Sequence, residues 1–172
     1  SAEKFYFKCI LKTQEFGYDG KGQFNIKIKN LNSFKTIDLK KFILEEKVNF
    51  KLEISVIVAC YENQIICYPP VENFHKNSIL RETIFPAKID KSISKKATEM
   101  AKKIAKKLEL KGLLAIEMFL TNDQEILINE LAPRPHNSGH WTMDSCKFSQ
   151  FDNLVSIITE NKLYEPVPQT NC

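Results

Sequence analysis

Arginine is almost missing from this chain. Of 25 basic residues only Arg81 and Arg134 are arginines, and the net charge is a modest +4. Nucleic-acid surfaces draw on clustered lysine and arginine with interleaved aromatics. No such run occurs, so the lysines read as a solvated surface and no nucleic-acid partner is expected. The five cysteines are odd in number and contain no CxxC pair. That pattern speaks against a disulfide framework and points to a reducing, cytoplasmic setting. There is no signal peptide and no apolar run long enough to span a bilayer, so no membrane association is expected. Internal repeats, the P-loop pattern and GxGxxG are absent as well. Against this background the stretch NELAPRPHNSGHW, 129–141, stands out, because it holds one of the two arginines together with an acid and two histidines.

At 172 residues the chain suits one ordinary domain or part of a larger protein, and 43% hydrophobic content is enough for a core. FYFKCILKT (5–13) and FNIKIKN (24–30) alternate around a glycine-rich loop and predict a β-hairpin with a long tip. TIDLKKFILEE (36–46) reads as a short helix or a helix running into a strand. EISVIVACY (53–61) and QIICYPPV (64–71) read as strands turning at Glu62 and Asn63. Residues 92–110 carry Ile93, Ala97, Met100, Ala101, Ile104 and Leu108 at helical spacing with Gly112 beyond the end, the pattern of a scaffold helix. GLLAIEMFL (112–120) and EILINEL (125–131) predict two more strands, and 149–161 a last helix. The order implies an α+β fold with a mainly antiparallel sheet.

The second hairpin carries the sharpest chemical signal. With Leu120 and Glu125 flanking a four-residue loop, Glu117 faces Ile128, and Glu130 lies one diagonal step away on the same face. Diagonal neighbours sit about 7–8 Å apart, within reach of long side chains. Two converging carboxylates repel unless a cation lies between them. A hard divalent ion such as Mg²⁺ fits that place. The competing reading pairs each glutamate with one of the many lysines.

GYDGKGQ (17–23) places three glycines where a backbone could approach a phosphate, although a hairpin tip would use the same residues. Lys12 in the preceding strand could reach such a phosphate, or could be an ordinary exposed lysine. His136 and His140 are four apart, but Pro135 and Gly139 argue against a helix and no further ligand has zinc spacing. An imidazole orienting an anionic intermediate is the better reading. By pattern alone, His75 is a loop histidine without a role.

LKTQEFGYDGKGQ, EISVIVA, YPPVENFHKNSIL, AIEMF, NELAPRPHNSGHWT and SQFDN occur in the order and approximate spacing of one family. The chain resembles the ATP-grasp portion of the N5-carboxyaminoimidazole ribonucleotide synthetases, from about Lys8 to the end of the last helix. The resemblance implies an ATP-grasp fold and an ATP- and Mg²⁺-dependent carbon–nitrogen ligase of purine biosynthesis. In that reaction bicarbonate is phosphorylated to carboxyphosphate, and the carboxyl passes to the amino group of 5-aminoimidazole ribonucleotide. It implies that Lys12 and the lid (Gly17, Tyr18, Asp19, Gly20, Lys21, Gly22, Gln23) hold the ATP phosphates. The hinge (Glu45, Glu46, Lys47, Val48) would meet adenine and Glu53 the ribose, with His75, Asn129 and Glu130 as further ATP contacts. Glu117 and Glu130 would bind Mg²⁺. Arg134, His136 and Asn137 resemble the bicarbonate and carboxyphosphate site, and Tyr18 and Asp19 would reach the imidazole nucleotide.

On this reading 1–50 form a lid subdomain with the hinge, 51–165 the core with the metal and anion site, and 166–172 a tail. The family suggests a homodimer. The chain departs from the family pattern at Glu15–Phe16, a minor change where a glycine is expected before Gly17, and in showing neither the family's Rossmann-like N-terminal domain nor its small C-terminal domain, so it is expected to be the central ATP-grasp part. A central fragment inactive alone is therefore the expectation. Other readings are another ATP-grasp ligase, such as a formyl-phosphate-using transformylase or a biotin carboxylase, and a nucleotide-binding module without turnover.

Overall fold

The computed structural model describes residues 8–15, 21–26, 38–159 and 162–172. By contact density the chain divides into two units, Ser1–Asn49 with Lys76–Ile79, and Phe50–His75 with Leu80–Cys172.

In the first unit a three-stranded antiparallel sheet has the order β2-β1-β3, with β1 at Cys9–Thr13, β2 at Gln23–Ile26 and β3 at Phe42–Glu46. Alternation along β1 sends Cys9 and Leu11 into a small core with Ile26, Phe42 and Leu44. The segment before β3 is a single 3₁₀ turn, Leu39–Lys41, so the helix-into-strand alternative is the one adopted. Gly22 closes the hairpin at φ 76°, and a Cβ there would lie 2.4 Å from the Thr13 hydroxyl. This glycine is therefore required by the turn itself.

The second unit is built on a six-stranded sheet, order β7-β6-β4-β8-β9, with β5 also paired to β4. Its strands are β4 (Phe50–Tyr61), β5 (Gln64–Cys67), β6 (Val71–Lys76), β7 (Ile79–Ile84), β8 (Gly112–Thr121) and β9 (Ile126–Ala132). The central strands β4 and β8 are covered on both faces, which is why they read as nearly continuous apolar runs. Ile54, Val56, Val58, Leu114, Ile116 and Met118 pack against helix α1, Lys91–Lys107, through Ile93, Ala97, Ala101 and Ala105. Ile57, Ala59, Leu113 and Ala115 form the other core with Trp141 and Ile157. Ile157 belongs to helix α3, Gln150–Thr159, which follows the short helix α2, Thr142–Ser145.

Three expectations need correction here. The β6–β7 hairpin turns on Asn77 and Ser78, both left-handed, so His75 lies on a strand and not in a loop. A two-residue turn of this kind usually advertises itself by Asn-Gly, and that signal is missing. Helix α1 ends through Glu109, not Gly112. Glu109 takes the left-handed position at φ 48°, its N–H donates to the Lys106 carbonyl, and the Leu110 N–H donates to the Ala105 carbonyl. That is a glycine-type helix ending made with glutamate. Between His136 and α2, Asn137–Gly139 form a 3₁₀ turn in a segment expected to lack helix. At the start of α3, Ser149 and Asp152 cap each other's backbone, the Ser149 N–H donating to Asp152 Oδ2 at 2.8 Å and the Asp152 N–H to Ser149 Oγ at 3.2 Å.

Candidate functional site

One face of the large sheet changes character along its strands. On β4 the residues of this face run Glu53, Ser55, Ile57, Ala59, and on β8 Glu117 precedes nothing polar back through Ala115 and Leu113. The apolar half is covered by α3. The half beyond it is lined by Glu53, Ser55, Asn73, His75, Glu117 and Glu130, because cross-strand partners share a face: Glu53 with Asn73, Ser55 with Glu117, and Glu117 with Glu130.

Glu117 and Glu130 stand directly opposite, not diagonally. The loop is a residue shorter than expected. Thr121 N–H donates to the Glu125 carbonyl at 2.9 Å, and Gln124 takes a left-handed conformation at φ 60°, the pattern of a three-residue hairpin loop. A β-bulge between Glu117 and Met118 then leaves Asn129 as the extra residue on β9. The two one-residue slips add to two, so the carboxylates keep their common face and come closer.

The electrostatics follow from that crowding. Burial raises the Glu117 carboxyl above its usual range, His75 and Arg134 oppose this, and Glu130 and Glu53 add to it. His75 Nδ1 pairs with Glu53 Oε2, and that hydrogen bond raises the imidazole's pKa against the pull of burial. His136 goes the other way: burial first, then Arg134, His75 and His140, lower it to about 4. Its Nε2 lies 3.5 Å from Glu117 Oε1, and its Nδ1 lies 2.8 Å from Ser138 Oγ and accepts from the Ser138 N–H at 3.3 Å. An Nδ1 that accepts leaves the proton on Nε2, facing Glu117.

Among the described residues the ion pairs are Lys12–Glu45, His75–Glu53 and His136–Glu117, and no lysine pairs with Glu117 or Glu130. Two close carboxylates, one with a raised pKa, form a donor set that suits a hard divalent cation. Within the described residues no group of three or more His, Cys, Asp or Glu is placed to hold a metal ion; Mg²⁺ ordinarily takes one or two carboxylates with phosphate oxygens and water.

Arg134 is exposed, with Nη1 donating to the Pro135 carbonyl at 3.0 Å, yet it biases the pKa of both Glu117 and His136. Asn137 is also exposed and accepts from the Ser138 N–H at 3.1 Å. Asn129 sits at the bulge, one residue before Glu130. Glu53, His75, Glu117, Glu130, Arg134 and His136 thus lie in one region, with Asn129 and Asn137 next to Glu130 and His136 in the chain.

The remaining expected residues belong to the first unit. Lys12 pairs with Glu45 at 2.7 Å, diagonally across β1 and β3. Gln23 opens β2 opposite Lys12, and Lys21 and Gly22 form the turn before it. Glu46 ends β3, and the Lys47 side chain donates to Asn25 Oδ1 at 3.4 Å with Val48 beyond. Gly17, Tyr18, Asp19 and Gly20 lie outside the described residues.

Sequence reasoning missed Ser55 and Asn73. Asn73 Nδ2 donates to Ser55 Oγ at 2.9 Å, and Thr83 Oγ1 donates to Asn73 Oδ1 at 3.1 Å. Both Ser55, 1% exposed, and Asn73, 4% exposed, are buried. Their signal was spacing: Ser55 lies two residues from Glu53, and Asn73 two from His75, so each shares its neighbour's face.

Among described residues no helix is long and apolar enough to cross a membrane. The N5-carboxyaminoimidazole ribonucleotide synthase of Bacillus subtilis is 46% identical over 161 residues, which cover 92% of this chain and 42% of that protein. A crystal structure of an N5-carboxyaminoimidazole ribonucleotide synthetase in its ADP complex superposes with a TM-score of 0.92 at 42% identity, over 99% of this chain and 46% of that one. A synthase from Aspergillus clavatus in complex with ADP and 5-aminoimidazole ribonucleotide gives a TM-score of 0.83 at 30% identity, over 98% of this chain and 44% of that one. The chain therefore spans less than half the length of these relatives. Residues 1–151 match the model of the ATP-grasp domain, and the chain belongs to that family.

Proposed function

We propose that this chain is the nucleotide-binding and anion-activating part of an ATP-dependent carboxylase acting on 5-aminoimidazole ribonucleotide, a cytoplasmic enzyme of purine synthesis. The observation that carries the reading is the direct opposition of Glu117 and Glu130 beside His136 and Arg134, on a face that also holds the Glu53–His75 pair. Such a face offers a place for a phosphate-bound cation next to donors for a small anion.

Glu117 and Glu130 would hold Mg²⁺, which would neutralise charge on the ATP phosphates. A bicarbonate oxygen attacks the γ-phosphorus and ADP leaves, giving carboxyphosphate. The amine nitrogen of the imidazole nucleotide then attacks the carboxyl carbon, inorganic phosphate departs, and the nitrogen gives up a proton. Arg134 supplies a fixed positive charge to the anion, and His136 donates from Nε2 as a neutral imidazole. Asn137 adds a carboxamide. Glu53, oriented by His75, takes the ribose, and Asn129 is a further nucleotide contact. Lys12 and 17–23 take the phosphates, with Glu45, Glu46, Lys47 and Val48 meeting adenine and Tyr18 and Asp19 the imidazole nucleotide. The same reading makes 1–50 the lid subdomain, 51–165 the core and 166–172 a tail, within a homodimer.

The test is turnover in a chain extended to the length of its relatives. Phosphate release from ATP should require bicarbonate and 5-aminoimidazole ribonucleotide together, and both Glu117→Gln and Glu130→Gln should lower it at least a hundredfold. Formate replacing bicarbonate would favour a formyl-phosphate-using ligase instead, and near-normal rates in both variants would remove the metal assignment.

A further inference from the structure

The imidazole of His136 is held by its backbone as much as by its ring. His136 ends an extended stretch at φ −129° and ψ 146° and immediately enters the 3₁₀ turn Asn137–Gly139. At that corner its N–H donates to Gln150 Oε1 at 3.0 Å, while its carbonyl accepts from Gln150 Nε2 at 2.7 Å. One carboxamide thus bonds the main chain of His136 on both sides, in the manner of a neighbouring β-strand, and the carbonyl also accepts from the Gly139 N–H at 2.9 Å.

The grip is itself braced. Gln150 is fully buried at the first position of α3, and its N–H donates to Thr142 Oγ1 at 3.0 Å. The same hydroxyl donates to the Gly139 carbonyl at 2.6 Å. Gly139 leaves the space the carboxamide occupies, since a Cβ there would fall 2.8 Å from Gln150 Oε1 and 2.9 Å from its Nε2. Ser138, also fully buried, closes the circuit on Nδ1 of His136. Among the described residues the network reaches the polar face through the imidazole and through Asn137, whose Oδ1 accepts from the Ser138 N–H at 3.1 Å.

We propose that Gln150 is a positioning residue: its carboxamide clamps the main chain of His136 and so keeps the imidazole in its Nε2–H form, aimed at Glu117. The inference rests on the reading of that face as the reaction site only for its consequence in catalysis. The clamp orients a neutral donor toward the place where anionic charge develops, and fixing such a donor beforehand is what makes it effective. Burial of both backbone groups explains why a single side chain has this leverage. With the carboxamide gone, the His136 N–H loses its partner and the carbonyl keeps only the Gly139 N–H, at 2.9 Å, so the corner is held from one side alone.

The test reads the ring nitrogens of His136 by ¹⁵N NMR in the ligand-free chain. The wild type should show one tautomer, Nε2–H, by roughly tenfold, the preference a single hydrogen bond can supply. Gln150→Met keeps the length of the side chain and removes both polar groups, and Gly139→Ala keeps every polar group but displaces the carboxamide. Both should collapse the tautomer preference severalfold. Ile157→Val, which loosens the packing of the same helix without changing a polar group, should leave it intact. Retention of the wild-type tautomer in folded Gln150→Met or Gly139→Ala would overturn the proposal, as would an equal loss in Ile157→Val. Gly139→Ala decides alone if Gln150→Met does not fold. ATP titration of the same samples keeps the two ideas apart, because a wild type that ignores ATP removes the functional reading and leaves the tautomer result standing.

Discussion

The two halves of one sheet face show how this chain separates stability from chemistry. Ile57, Ala59, Leu113 and Ala115 lie under α3 in an apolar core with Trp141 and Ile157, while Glu53, Ser55, Asn73 and Glu117 continue the same rows beyond the helix. The backbone is common to both halves and the strands run through without a break. Only the side chains differ, and with them the consequence of burial. In the first half, removal from water is favourable at about 25 cal/mol per Å² of apolar surface. In the second it raises the Glu117 carboxyl and lowers His136, so burial works against the charged form of each. A sheet stiffened at one end can hold such groups at the other.

Writing the chemistry of one half into the other should break the comparison most severely. Ala115→Asp puts a carboxylate into the apolar half with no cation to meet it, and should cost about 4 kcal/mol in urea-induced unfolding. A cost below about 1 kcal/mol would mean that the apolar half is not a closed core.

A smaller effect separates the halves by pH. Because the folded pKa of His136 lies near 4 and the ordinary value near 6.5, the stability from keeping it neutral is complete above the ordinary value. It is lost as pH falls toward the folded one. Relative to His136→Gln, the wild type should lose up to roughly 3 kcal/mol between neutral pH and pH 4. Parallel pH profiles for the two proteins would contradict the burial account of this histidine.

The third difference is smaller still. Asn73→Leu makes the polar half more apolar but strands the hydroxyls of Ser55 and Thr83, so it should destabilise by about 2 kcal/mol. A stabilised variant would show that the Ser55–Asn73–Thr83 chain is dispensable and that this half tolerates an apolar floor.

Much of this architecture is legible in the residues themselves. The spacing of Ile93, Ala97 and Ala101 marks α1, because a helix against a sheet must keep one stripe apolar. The shared face of Glu117 and Glu130 follows from period-two alternation, which survives a slip of two residues. Their direct opposition does not follow, since neither the left-handed Gln124 nor the bulge at Asn129 has a glycine to announce it. The strand carrying His75 is hidden for a similar reason, its turn being Asn77-Ser78. The clamp of Gln150 on His136 joins residues fourteen apart through a tertiary fold, and no local pattern encodes such a contact. ATP-grasp membership rested on whole motifs such as GYDGKGQ and NELAPRPHNSGHWT, which carry more information than periodicity.

On the proposed reading the polar half binds a nucleotide through a cation held by Glu117 and Glu130. Calorimetric titration of this chain with ATP, with and without Mg²⁺, tests it most directly when repeated on the Glu117→Gln, Glu130→Gln double variant. The wild type should show Mg²⁺-dependent heat of binding, and a variant that remains folded should bind at least tenfold more weakly. Equal binding by both proteins, or binding indifferent to Mg²⁺, would contradict it.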